Sequence, residues 1–391
     1  MTKPTPDLRD PPFRTGEIVS DEHFTDRATE VETVRRAMLS SGRLLLVGER
    51  RQGKSSILKQ AGLYARARGA VVIPVDLWTA MRLEEVLRRI VAAVPWDWAW
   101  RERLQTFWTR LGLGLGVRAD HAGNPAFTLT ASAGELEGDR ARELFLQLIG
   151  RLDIVAGEAG HAVVLVLDEF QRIEEMETGA AALLRSAIQE SHHLAFVCAG
   201  STVSLVDRLV GPDGALHGIF DLLAVGPIDA DLLAVWIEDR LDARSVRCGP
   251  GTGAAVVAWA GPRTEDVLRL AREVYERGLG PGRVTPDDVP AAVRRIVLDH
   301  RATYERVWVD LADSQRNVLR AIASGETRLT ARATMRRFGL PTPAGVLKAI
   351  ERLRARHLLT GVGESIADPF LRAWVLMDAM PDGVDRSTLD R

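Results

Sequence analysis

The first part of the chain alternates between continuous apolar runs of strand length and apolar positions at helical spacing. From Asp26 the spacing Val31, Val34, Met38 predicts an amphipathic helix, ended by Ser40-Ser41-Gly42. Leu44 to Val47 is short and wholly apolar, as expected of a strand buried on both faces. A glycine-bearing segment follows, then a helical pattern from Ser55 to Arg68 with Ile57, Leu58, Leu63 and Tyr64 on one side. Val71 to Val75 is a second buried strand, carrying Asp76 at its end. Strand, helix and strand in this order need a crossover, so the sheet is predicted to be parallel. Val163 to Leu167 and Ala195 to Ala199 supply two further buried strands.

Between these strands the pattern changes. The stretch from Met81 starts helical and becomes rich in tryptophan at Trp96, Trp98, Trp100 and Trp108. Leu113, Leu115 and Val117 then alternate, Gly123-Asn124-Pro125 reads as a turn, and Phe127 and Leu129 alternate again. This predicts a β-hairpin inserted in the core at about 96–135, with helix resuming near Asp139. The alternating tryptophans either pack beside the hairpin or form an exposed anchor for a partner. Beyond Pro227 strands become scarce, and Leu232 to Leu241, Ala254 to Ala260 and Glu265 to Arg277 predict a small helical domain. The expected organisation is an α/β core over 1–226, a helical domain over 227–300 and a third domain over 301–391.

The third domain has its own signature. Ser314 to Ser324 is amphipathic, and Ala331 to Phe338 is a short helix stopped by Gly339. Thr342 as N-cap and Pro343 at the first helical position start a third helix, to about Arg356. Leu358-Leu359-Thr360 and Glu364-Ser365-Ile366, around Gly361 and Gly363, read as wing strands, so the module is a winged helix-turn-helix. On its third helix Val346, Ile350 and Leu353 would face the core, leaving Thr342, Gly345, Lys348 and Arg352 exposed. From Asp313 to Arg372 there are eleven Arg/Lys against five Asp/Glu, a local excess of six positive charges. The Lys348 and Arg352 face suits the major groove of duplex DNA. It equally suits a winged helix used for packing or partner contact.

Composition narrows the classes. The 391 residues leave room for two or three domains, and a net charge of -2 gives no global attraction to nucleic acid or membrane. Cys198 and Cys248 make neither a zinc site nor a disulfide framework. The polar, proline-bearing N-terminus is unlike a signal peptide, and no apolar run approaches the roughly 20 residues of a membrane helix. A cytoplasmic location without membrane contact is therefore expected. Only Lys3, Lys54, Lys59 and Lys348 are lysines, so a lysine inside a motif stands out.

One such lysine completes Gly48-Glu49-Arg50-Arg51-Gln52-Gly53-Lys54-Ser55, a match to G-x-x-x-x-G-K-[ST] between a strand and a helix. The glycines let backbone N–H groups turn inward around phosphates, with Lys54 reaching the β- and γ-phosphates. Ser55 would ligate Mg²⁺, with Ser56 beside it on the helix whose positive dipole end faces the phosphates. The absence of an N-K-x-D guanine motif in the sequence favours ATP. The strand Val163 to Leu167 ends in Asp168-Glu169. Asp168 would hold Mg²⁺, directly or through water, and Glu169 would polarise the attacking water. Ser201, ending the next strand, would sense the γ-phosphate or orient that water. No lysine lies beside acids in the pattern of a fused nuclease.

These residues resemble the archaeal-ATPase-like branch of the STAND and AAA+ P-loop ATPases. Phe24-Thr25-Asp26-Arg27 with Glu30 is similar to the box that opens such proteins. The segments from Gly48 to Leu58, from Leu167 to Ile173 and from Ala199 to Thr202 resemble their Walker A, Walker B and sensor strand. The resemblance implies an AAA+-like core, a helical lid over 227–300, and a nucleotide-driven change of state. It also implies that Arg27 belongs to the nucleotide site and that Arg263, in Gly261-Pro262-Arg263, senses the γ-phosphate. Where relatives carry a glycine-arginine pair after the sensor strand, this chain has Gly218-Ile219-Phe220. Three expectations stay open: an ATP-fuelled switch enzyme, slow without a partner; a nucleotide-dependent DNA-binding regulator; and a scaffold that self-associates with little hydrolysis.

Overall fold

The computed structural model describes residues 11–19, 23–95, 106, 114–119, 125–130, 138–201, 206–360 and 365–380. The tryptophans at 96, 98, 100 and 108, the Gly123-Asn124 turn, Thr202 and the wing glycines 361 and 363 lie outside the described residues. Two compact units are formed, one of residues 18–226 and one of the described residues of 1–17 and 227–391.

The first unit begins with α1 (Ala28–Leu39), β1 (Arg43–Gly48), α2 (Lys54–Arg66), β2 (Val71–Asp76) and α3 (Leu83–Ala93). The hairpin β3 (Gly114–Ala119) and β4 (Pro125–Thr130) is antiparallel and pairs Leu115 with Leu129 and Val117 with Phe127. Then come α4 (Gly138–Ala159), β5 (Val163–Asp168), α5 (Arg172–Met176), α6 (Ala180–Glu190), β6 (Leu194–Ser201) and β7 (Asp221–Ala224). Five strands form one parallel sheet in the order β2-β5-β6-β1-β7, so β6 lies between the two strands that carry the sequence motifs.

Alternate residues of each strand feed opposite cores, which is why the strands read as unbroken apolar runs. Leu45, Val47, Ile73, Val75, Leu165, Leu167 and Phe196 pack with α3, α4 and α6. Leu44, Leu46, Val72, Val164, Val166 and Val197 pack with α1 and α2. The predicted face of α1 is buried through Val31, Val34 and Met38. The expected face of α2 needs correction: Ile57 and Leu58 are buried, but Leu63 and Tyr64 are exposed. Small residues, Ala61, Gly62 and Ala65, complete the buried face and let the helix lie close to the sheet. At the start of β6 the buried carboxylate of Asp153 accepts from the backbone N–H groups of His192, His193 and Leu194 at 2.9, 2.7 and 2.8 Å.

The second unit is largely helical. It comprises α7 (Ala230–Ala243), β8 (Arg247–Cys248), α8 (Thr252–Ala260), α9 (Thr264–Gly278), β9 (Arg283–Val284), α10 (Val289–Asp299) and α11 (Arg301–Val309). The winged-helix elements follow as α12 (Asp313–Ala323), α13 (Arg332–Phe338), α14 (Pro343–Ala355) and α15 (Pro369–Asp378). One apolar core runs from Leu233 and Val267 through Val293 to Val318, Ile350, Phe370 and Trp374. Phe13 is fully buried in it, edge-on to Trp236 at 5.7 Å. Thr342 caps α14 by accepting from Gly345 N at 3.3 Å, and Val346, Ile350 and Leu353 are buried as the periodicity predicts. Thr342, Lys348 and Arg352 are exposed, and Leu359 bridges Ile366 antiparallel at the base of the wing. No helix among the described residues is long and apolar enough to cross a membrane.

Candidate functional site

Because the strands are parallel, their C-terminal ends open on one edge, where α/β ligands bind. Register places Gly48 beside Ser201 and Asp76 beside Asp168. The Walker A segment therefore leaves the sheet next to the end of β6, one strand from Asp168-Glu169.

Gly48 is glycine for a packing reason. A Cβ there would stand 2.3 Å from the carbonyl oxygen of Val225, just beyond the edge strand β7. The loop then turns through left-handed backbone at Arg51, φ 68°, and Gly53, φ 82°. Lys54, the first residue of α2, is buried, and its Nζ donates to the carbonyls of Gly48 and Glu49 at 2.9 and 2.8 Å. Burial lowers the Lys54 pKa, and the charges of Glu169 and Asp168 oppose that shift. Burial raises the Asp168 pKa, opposed by hydrogen bonds from the Ser55 hydroxyl and from Glu169 N–H. The latter bond to Asp168 Oδ1 is 2.9 Å, and Glu169 has left-handed backbone, φ 54°. One lysine, buried, and two carboxylates, half-buried, thus share one corner of the sheet edge. Ser55 and Asp168, in hydrogen-bond contact, are the hard oxygen donors that fit Mg²⁺.

The other anticipated residues have separate placements. Glu49, Arg50 and Arg51 are exposed, and the Arg50 guanidinium lies 4.5 Å over the Trp78 ring, which Arg172 also approaches at 4.9 Å. Gln52 and Ser56 are buried, and the Ser56 hydroxyl accepts from Val19 N at 3.2 Å. Arg27 is buried in left-handed backbone, pairs with Glu30 at 2.9 Å, and donates to the carbonyls of Gln52 and Gly226. It braces the backbone of the phosphate loop. Arg263 lies in the second unit, where its guanidinium donates to the Ala367 carbonyl. In Gly218-Ile219-Phe220, Ile219 is buried in the core and Phe220 packs edge-on to Phe170 at 5.6 Å.

One neighbour escaped the sequence reading. The buried side chain of Gln171 donates from Nε2 to the Glu169 carboxylate and accepts from Ser201 N at Oε1. It lies in the Walker B-like segment, but its contacts do not follow from spacing, since they depend on a turn that folds back onto β6.

Comparison with known proteins agrees with this fold. Residues 302–377 match the family model of a probable winged helix domain. A Walker-type ATPase of Pyrococcus abyssi is similar over 94% of this chain and 99% of its own, at 17% identity and a TM-score of 0.59. The chain has a Walker-type ATPase fold. The Aeropyrum pernix ORC1 protein, solved in complex with DNA, shares this fold over 91% of this chain and 93% of its own, at 17% identity and a TM-score of 0.50. No curated protein matches the sequence. The parallel sheet, the helical segment and the C-terminal winged helix expected from the sequence are all present, and the sheet carries a fifth strand, β7, beyond the four that the apolar runs predict.

Proposed function

We propose that this chain binds and hydrolyses Mg-ATP, as a nucleotide-driven switch of the STAND and AAA+ type that engages duplex DNA through its winged helix. The observation that carries the proposal is the convergence of Lys54, Ser55, Asp168 and Glu169 on one edge of the sheet. Lys54 would exchange its loop carbonyls for the β- and γ-phosphate oxygens, bringing a charge already stripped of much of its water. Ser55 and Asp168 would hold Mg²⁺, which supplies positive charge to the phosphates. Glu169 would orient the attacking water and accept its proton, with Ser201 at the end of the adjacent strand. The exposed Thr342, Lys348 and Arg352 face of α14 supports DNA as the partner, as does the likeness to an ORC1 protein solved with DNA.

The packing of Ile219 and Phe220 favours slow intrinsic turnover, because this stretch offers no guanidinium to the phosphates. A nucleotide-dependent regulator, completed by an arginine from another chain, is thus the second reading. Phosphate release from the purified protein with Mg-ATP, with and without duplex DNA, tests both. Turnover that DNA stimulates, and that Glu169→Gln lowers about 10²–10⁴-fold, is the expected result. ATP binding without turnover would leave the regulator, and no binding would overturn both.

A further inference from the structure

Gln171 lies inside the segment that resembles Walker B, where the reading above gives roles to Asp168 and Glu169 alone. It follows the acid pair by two residues, is 6% exposed, and spends both ends of its amide inside the site. Its Oε1 accepts from Ser201 N at 3.3 Å, and this bond fixes the orientation of the amide, because a backbone N–H must meet an oxygen. The NH₂ group is thereby directed at Glu169, where it donates to Oε2. A carboxylate accepts that bond, whereas a second carboxylate at position 171 would repel it. One residue earlier, Phe170 N donates to Ala199 O at 2.8 Å, so the same turn is also tied to β6 through its backbone.

Glu169 itself sits in left-handed backbone, φ 54°, which limits the directions open to its side chain. Between Glu169 and Ser201 the described side chain that makes both contacts is Gln171. We infer that Gln171 is a positioning residue that locks the Glu169 carboxylate to the end of β6, so that water-orienting acid and sensor residue keep a common geometry. Gln171 touches no reacting atom and acts through Glu169. Misplacing a general base by about 1 Å costs on the order of 10²-fold in rate while leaving ground-state binding intact. The inference rests on the hydrolase reading above and deepens it.

The test compares two variants of the full chain. Gln171→Glu keeps an acceptor for Ser201 N and removes the donor to Glu169, while Gln171→Met removes both at similar volume. Single-turnover hydrolysis of Mg-ATP should fall about 10–100-fold in both, with the Kd for a fluorescent ATP analogue within about twofold of wild type. A rate within twofold of wild type, or a loss matched by equal loss of affinity, would overturn the inference. If wild type binds nucleotide without hydrolysing it, the hydrolase reading fails by itself. A double-mutant cycle of Gln171→Met with Glu169→Ala, read from urea midpoints, then decides the lock: non-additive shifts support it, and additive shifts refute it.

Discussion

The two units distribute their buried polar side chains differently. In the unit of residues 18–226, one edge of the sheet gathers Lys54, Asp168, Glu169 and Gln171, with left-handed backbone at Arg51 and Glu169. In the other unit, apolar residues from Leu233 to Met380 form a single core, the buried polar residues Thr252, Asp266, Gln315 and Thr334 are spread over four helices, and Lys348, Arg352 and the α13 arginines lie on the surface. A fold gains nothing in stability from a desolvated ammonium or a strained acid, so their concentration at one edge marks a place shaped by chemistry. The second unit has the profile of a module built for packing and surface contact.

That contrast fixes where substitutions should hurt stability. The largest loss is expected in the second unit: Phe370→Ala removes a ring that is 0% exposed and should cost about 3–5 kcal/mol in denaturant unfolding. A loss below about 1 kcal/mol would mean that the shared core is not close-packed. Asp153 sharpens the comparison, because it is a buried polar residue outside the candidate site. Asp153→Ala strands three backbone N–H groups at the start of β6 and should cost about 2–3 kcal/mol, whereas Asp153→Asn should recover most of it. The smallest effect on stability belongs to the pair Lys348→Ala and Arg352→Ala, within about 0.5 kcal/mol, since both side chains are exposed. Their effect should fall on duplex DNA instead, with weaker binding and a salt slope smaller by about two. Unchanged DNA affinity would remove the winged-helix face from the account.

The same contrast explains what could be read in advance. Strands β1, β5 and β6 are buried on both faces and β2 is so except at Pro74 and Asp76, so each is an apolar run that periodicity detects. The edge strand β7 exposes Asp221, Leu222 and Ala224 and is four residues long, too little for a pattern. The place of β6 between β1 and β5 depends on pairing across long chain separations, which no local pattern carries. On α2, Leu63 and Tyr64 misled the reading because close packing was achieved by alanine and glycine. Phe13 docks on Trp236 from within a proline-bearing lead-in, where a lone aromatic carries no periodicity. In the site, Lys54, Ser55, Asp168 and Glu169 were legible because their spacing follows from strand and helix geometry. Gln171 and the loop-bracing contacts of Arg27 were not, since each depends on backbone turns that bring distant carbonyls or carboxylates to one side chain.

The central claim is that Lys54 is buried at the sheet edge for a phosphate ligand and not for stability. Thermal unfolding of wild type and Lys54→Ala, each with and without saturating Mg-ATP, tests it most directly. At a ligand concentration about 100-fold above Kd, the first transition of wild type should rise by several degrees, corresponding to about 2.7 kcal/mol. Lys54→Ala alone should unfold no earlier than wild type, since it removes a desolvated charge, and Mg-ATP should not shift it. Equal ligand-induced shifts in the two proteins, or a Lys54→Ala variant that is both destabilised and fully responsive to Mg-ATP, would contradict the account.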